Sequence, residues 1–122
     1  MIGYVTLGTS DLQRAAKFYD AIAAELGVGR MFDTETFIAW GKPGGGAGIG
    51  LTKPYDGNPP TVGNGVMVAL ECKDRAQVDK IYNLARSMGA PDEGAPGERW
   101  PGFYAGYFRD PDGNKLNAFI MG

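Results

Sequence analysis

The sequence predicts an α+β fold in which two βαβββ modules form an open barrel-like sheet around a cleft, with the helices outside. Three observations predict it. A strand, a capped helix, a glycine stop and several short strands occur in that order twice, the copies displaced by about 63 residues. Each helical segment carries its apolar residues at the helical period behind a capping residue. The chain closes on two aromatic-rich strands around Asp110-Pro111-Asp112-Gly113, where Asp bonds its own backbone, Pro presets φ and Asp-Gly tolerates unusual φ values. One module cannot bury both faces of its sheet, so the two sheets are expected to combine.

The elements follow in order. Ile2 to Leu7 is β-branched and aromatic and ends at Gly8, which makes it the first strand. Ser10 with Gln13 three residues on reads as a capping box, and Leu12, Ala15, Ala16, Tyr19, Ile22, Ala23 and Leu26 form one helical face before Gly27. Three short strands are expected around Met31-Phe32, Thr36 to Trp40 and Ala47 to Thr52. The glycines at 44, 45 and 46 belong to a hairpin loop, because no Gly-x-Gly-x-x-Gly is present and no helix N-terminus follows to hold a phosphate. Lys53 to Gly65 is rich in Pro, Gly, Asn and Asp and is the joint between the halves.

The pattern then restarts. Val66 to Cys72 is a strand, Asp74 caps a helix with Gln77 three residues on, and Val78, Ile81, Tyr82, Ala85 and Met88 line one face before Gly89. Ala90 to Gly102 is read as irregular, and the closing hairpin runs from Phe103 to Phe119. The whole is a single domain over 1–122, with module one at about 1–52, the joint at 53–65 and module two at about 66–122.

Composition bounds the function. A chain of 122 residues at 43% hydrophobic and 21% charged buries a core without disulfides. A net charge of −2 with interspersed signs supplies no basic stripe for nucleic acid and no patch for anionic lipid, and no apolar run reaches membrane-spanning length. The N-terminus enters a strand rather than a signal sequence, and the single Cys72 suits a reducing compartment, so a cytoplasmic protein is expected. Cys72 reads as a small hydrophobe, since the chain contains no histidine to activate it. The absence of histidine also removes the commonest metal ligand and general base.

The run Tyr107-Phe108-Arg109-Asp110-Pro111-Asp112-Gly113-Asn114-Lys115 joins two earlier segments in carrying a family likeness. These are Val5-Thr6-Leu7 leading through Ser10-Asp11-Leu12 to Phe18-Tyr19, and Gly63-Asn64-Gly65. With the duplicated βαβββ order, the chain resembles the vicinal oxygen chelate superfamily, which includes glyoxalase I, extradiol dioxygenases and bleomycin and fosfomycin resistance proteins. Metal-bearing members place four ligands, two per module, usually His, Glu or Gln. The resemblance puts those positions on Tyr4, Gly50, Met67 and Asn117. None is a normal ligand for a divalent catalytic metal: Gly has no side chain, Met is a soft thioether, Tyr is protonated near neutrality and Asn is neutral. No metal and no cofactor are therefore expected.

If Tyr4, Met67 and Asn117 face the cleft, alternation puts Ile2, Thr6, Ala69, Glu71, Lys115 and Phe119 on the same face and Val5, Leu7, Val68 and Leu70 under the helices. Trp40, Phe37, Trp100 and Tyr104 are further candidate walls, with Trp100 in a segment that reads either as a lid or as an ordinary surface loop. Tyr4, Trp40, Gly50, Met67, Trp100, Tyr104, Asn117 and Phe119 are thus the candidate ligand-binding residues. Glu71 is the one carboxylate placed on an inner strand face, either a charge at the mouth of the cleft or a general base. Asp110 and Asp112 read as a turn, not a calcium loop, because the glycine falls at the wrong place and no closing glutamate follows. Arg109 and Lys115 are expected to be solvated or paired with those aspartates.

The resemblance implies a metal-independent protein that binds a small organic molecule in an aromatic-lined cleft. Two alternatives stand beside it. One is a lyase or dioxygenase-type enzyme related to lactoylglutathione lyase, working through a displaced metal or through Glu71 and Tyr4. The other is a non-catalytic interaction module. Homodimers are common among such relatives and are expected here.

Overall fold

The computed structural model describes all 122 residues, Met1–Gly122. They form two compact units, Met1–Val62 and Gly63–Gly122, each a βαβββ module with its own four-stranded mixed sheet that does not close into a barrel. The first unit contains β1 (Tyr4–Gly8), α1 (Leu12–Glu25), β2 (Gly29–Asp33), β3 (Phe37–Gly41) and β4 (Gly48–Thr52). The second contains β5 (Val68–Glu71), α2 (Arg75–Ser87), β6 (Asp92–Trp100), β7 (Phe103–Arg109) and β8 (Lys115–Met121).

Both sheets have the same order. The first strand pairs in parallel with the last, and the rest is antiparallel: β1-β4-β3-β2 and β5-β8-β7-β6. A helix covers one face of each. Leu7, Ile38, Trp40 and Leu51 are buried with Leu12, Ala15, Ala16, Tyr19 and Ile22 of α1, and α1 packs on β2, β3 and β4. Leu70, Phe108, Leu116 and Ala118 are buried with Val78, Ile81, Tyr82 and Ala85 of α2, which packs on β6, β7 and β8. Strand alternation therefore places Leu7 and Leu70 under the helices as expected.

Two local features differ from the sequence reading. The N-cap of α1 is Asp11, not Ser10. The Asp11 carboxylate accepts the Arg14 N–H at 3.1 Å, while the buried Thr9 hydroxyl accepts the Asp11 N–H at 3.1 Å. A carboxylate one residue further on competes better for the first-turn N–H groups than a hydroxyl. Asp74 caps α2 as expected, accepting the Gln77 N–H at 2.8 Å, and Gln77 reaches back to accept the Lys73 N–H at 2.9 Å.

The second difference is β6. The stretch read as irregular is a nine-residue edge strand whose pairing with β7 shifts register three times, between Asp92 and Gly94, Gly94 and Gly97, and Glu98 and Trp100. Pro96 and the glycines at 94 and 97 are tolerated because an edge strand needs only one ladder, and the bulges erase the period of two that would have marked it.

The closing turn is built on a buried aspartate. Asp110 Oδ1 accepts the N–H groups of Asp112 and Asn114 at 2.9 Å each, Oδ2 accepts the Asn114 amide at 2.9 Å, and Gly113 takes a φ of 92°. The carboxylate is spent on the turn, which is a structural use of it. Arg109 is not paired with the turn aspartates. It donates to the Gly113 carbonyl at 2.9 Å and to Glu93 at 3.1 Å. Lys115 stands over the Tyr107 ring, 5.5 Å from its centroid.

Candidate functional site

Opposite its helix, each sheet has a second face, and the family-matched positions Tyr4, Gly50 and Asn117 lie there. On the first sheet, Thr6, Gly50, Ala39 and Phe32 sit in register across β1, β4, β3 and β2. The Phe37 ring lies over Gly50: a Cβ built at Gly50 would meet Phe37 carbons at 2.7 Å and Thr6 Cγ2 at 3.4 Å. Tyr4 stands edge-on to Phe37 with centroids 6.2 Å apart and is 60% exposed. Met31, at the β2 bulge, fills the space over Gly41 and Gly48, its Sδ 2.9 Å and 3.6 Å from Cβ atoms built there. The face is a carpet of backbone under aromatic and thioether side chains.

The second sheet presents a different row. Ala69, Asn117 and Tyr107 are in register across β5, β8 and β7, and Asn117 is 1% exposed with no hydrogen-bond partner for its Oδ1. A buried amide oxygen without a donor costs roughly 1–3 kcal/mol, so it calls for a reason. Toward one end of β8, Phe119 stacks on Phe103 at 5.8 Å and Phe103 on Trp100 at 5.0 Å. Glu71 is exposed and in register with Phe119. Toward the other end, Lys115 and Arg99 both stand over Tyr107, at 5.5 Å and 5.2 Å from its centroid. Met67 precedes β5 and is 40% exposed.

Two expected walls are elsewhere. Trp40 is on the helix side of the first sheet, 5.5 Å from Tyr19, its indole N–H donating to Asp20 at 2.8 Å. Tyr104 is on the helix side of the second, its hydroxyl donating to Asp79 at 2.6 Å under the Arg75 guanidinium. Both are one residue out of phase with the face that carries Gly50 and Asn117, a single step in a period of two. The resolved pKa shifts also belong mainly to the helix side. The Arg30 guanidinium holds Asp20 below the usual carboxylate range, Arg75 does the same for Glu98, and the Asp79 carboxylate raises the Tyr104 phenol.

The residues present do not fit the divalent metal that the family likeness implies. Gly50 has no donor and its side-chain space holds the Phe37 ring, Asn117 is neutral, and no three of His, Cys, Asp and Glu come together anywhere in the chain. Without anionic donors a hard or borderline cation has nothing to repay its dehydration. What the second sheet can do is hold a flat organic group on its aromatic stack and accept one hydrogen bond. Phe103, Tyr107 and Arg99 were missed as contributors. Carrying alternation from Asn117 and Phe119 across the hairpin would have found the first two, whereas Arg99 lies beyond the register shifts of β6.

Comparison with known proteins agrees with this architecture. The family model described as Glyoxalase/Bleomycin resistance protein/Dioxygenase superfamily matches residues 1–118. The crystal structure of a glyoxalase/bleomycin resistance protein from Albidiferax ferrireducens T118 is 32% identical, covers 100% of this chain and 99% of its own, and superposes with a TM-score of 0.91. Lactoylglutathione lyase from Agrobacterium tumefaciens is 24% identical over 98% of this chain and 92% of its own, with a TM-score of 0.71, a likeness of fold. A glyoxalase/bleomycin resistance protein/dioxygenase family enzyme from Burkholderia phytofirmans PsJN is 20% identical over 98% of both chains, with a TM-score of 0.79. No curated protein matches.

Proposed function

The chain belongs to the glyoxalase/bleomycin resistance protein/dioxygenase superfamily, and from that premise we propose that it is a metal-independent protein that binds a small organic molecule. The observation that carries this reading is the unpartnered Oδ1 of buried Asn117 beside the Trp100-Phe103-Phe119 stack. Such an oxygen is retained against its desolvation cost when a bound partner supplies the donor. Tyr4 and Met67 remain candidate contacts, whereas Gly50 lies under the Phe37 ring and Trp40 and Tyr104 are on the helix side. A thermal-shift screen against glutathione conjugates, catechols and peptide antibiotics, run with and without chelator, tests it. A hit whose stabilisation survives chelator and is lost in Asn117→Ala supports the reading, because binding to the folded state raises its stability with occupancy. A tightly held ion at one per chain after dialysis from zinc, nickel, iron or manganese would sink it.

A second reading is favoured by Glu71. This exposed carboxylate shares a face with Phe119 and is free of the arginine pairs that occupy Glu93 and Glu98. In that reading Glu71 is a general base for proton transfer within a bound substrate. Isomerase activity on the hemithioacetal of methylglyoxal and glutathione that survives chelator and disappears in Glu71→Gln would establish it.

We also propose a cytoplasmic homodimer. Tyr4, Met31 and Phe32 are exposed large apolar side chains of the first sheet, the kind of surface a second copy would cover. Sedimentation of the wild type against Phe32→Glu tests the dimer.

A further inference from the structure

The face of the second sheet away from its helix is ordered along β8, with Asn117 and Ala105 buried at its middle. Lys115, Asn117 and Phe119 point to one side in succession, each separated from the next by about 6.6 Å, twice the strand rise. Across the hairpin, Arg109, Tyr107 and Ala105 run alongside them in register, and Phe103 follows opposite Met121. The face thus changes character in three steps. At the turn end are cations, in the middle is an acceptor without a donor, and at the far end is an aromatic stack.

The cations differ in how far they are engaged. Arg109 is bound to Glu93 and to the Gly113 carbonyl. Arg99 donates to the Ala95 carbonyl at 2.6 Å, and both Arg99 and Lys115 rest on the Tyr107 ring without a carboxylate. The carboxylates on the same side are Glu93, held by Arg109, and Glu71, which is in register with Phe119 at the aromatic end, four residues along β8 from Lys115. Two unneutralised cations on one ring form an anion subsite. Arg99 spends one N–H group on the Ala95 carbonyl, and no carboxylate or carbonyl takes the Lys115 ammonium.

We infer that the ligand is an aromatic amide carboxylate: a flat ring for the Trp100-Phe103-Phe119 stack, one N–H for Asn117 Oδ1, and a carboxylate for Lys115 and Arg99, in that order along the molecule. This rests on the proposed ligand face and adds the chemical class. N-acylated amino acids with an aromatic acyl group have this order of groups. Glu71 sharpens the selection, because a ligand presented the other way round would set its carboxylate against a carboxylate.

The test uses the full chain and four probes, read by calorimetry. N-Benzoylglycine carries ring, N–H and carboxylate. Its primary amide lacks the charge, its N-methyl derivative lacks the donor, and N-acetylglycine lacks the ring. N-Benzoylglycine is expected to bind most tightly, with each deletion weakening binding by about tenfold, as for loss of one charge-assisted or buried hydrogen bond or one stacked ring. Lys115→Ala should weaken N-benzoylglycine and leave its amide unchanged, a pattern that a folding defect would not give. Equal binding of acid and amide, in a manner still lost in Phe119→Ala, overturns the anion subsite while the ligand face stands. Failure of every aromatic probe to bind overturns both.

Discussion

The two units share a backbone plan and differ in what they put on it. Leu7 and Leu70, Leu51 and Ala118, and Trp40 and Phe108 occupy matching registers under their helices, and all six are buried. On the opposite faces the matching row is Thr6, Gly50, Ala39 in one unit and Ala69, Asn117, Tyr107 in the other. One row is closed by its own Phe37 ring, and the other keeps an acceptor without a donor. Packing against a helix constrains residue type, because burial is worth about 1.5–3 kcal/mol per large apolar side chain. The face away from the helix is free of that helix-packing constraint, so duplication leaves it free to diverge into a filled surface or a binding one.

The largest effect that tests this contrast comes from two neighbours on opposite faces of β7. Phe108 is fully buried and Tyr107 is half-buried. Phe108→Ala is expected to lose about 3–5 kcal/mol in urea unfolding, from transfer and cavity together. Tyr107→Ala should lose about 1 kcal/mol, the worth of its contacts with Arg99 and Lys115. Comparable losses at the two positions would mean that the proposed ligand face also holds the fold together.

A smaller effect of opposite sign is expected at Asn117. Replacing it by Leu keeps the number and branching of the side-chain heavy atoms and removes an unpaired buried acceptor, which should raise stability by about 1–2 kcal/mol while ligand binding is lost. Gly50→Ala, at the matching position, should gain nothing, since the new Cβ collides with Phe37. Destabilisation by Asn117→Leu would show that the amide serves the fold, and the contrast between the rows would then lose its functional meaning.

Much of this was legible in the sequence, and the reasons are specific. The helices were readable because Leu12 to Leu26 and Val78 to Met88 carry a strong period behind a polar cap, though Ser10 and Asp11 offered rival caps that only geometry separates. The facing of Asn117, Phe119 and Glu71 followed from alternation anchored on Leu70 and Leu116. Strand β6 was not readable, since bulges at Gly94 and Gly97 break the alternation that defines a strand. Trp40 and Tyr104 were misplaced because nothing in sequence fixes the phase of a five- or seven-residue strand when both faces are aromatic. The orphaned oxygen of Asn117 was invisible: it depends on which neighbours lack a donor.

The smallest expected effect separates the units by pH. In the first unit the helix-side donors to a carboxylate are the Trp40 indole and the Arg30 guanidinium, both on Asp20, and neither gives up its proton in the alkaline range. In the second, Tyr82 and Tyr104 each donate to a carboxylate, Asp92 and Asp79, at 2.6 Å. These bonds raise both phenols above the ordinary 10.0, because ionising the phenol removes the donor and sets two anions together. The folded pKa exceeds the unfolded one, so the contribution is fully present below pH 10.0 and is lost as pH rises through the folded values. Amide hydrogen exchange at alkaline pH, corrected for intrinsic rate, should therefore show α2 and β7 losing protection before α1 and β3. The difference should vanish in the Tyr82→Phe, Tyr104→Phe double variant. Simultaneous loss in both units would mean that the phenol pairs contribute nothing separable, and that the two helix sides are alike in charge as well as in packing.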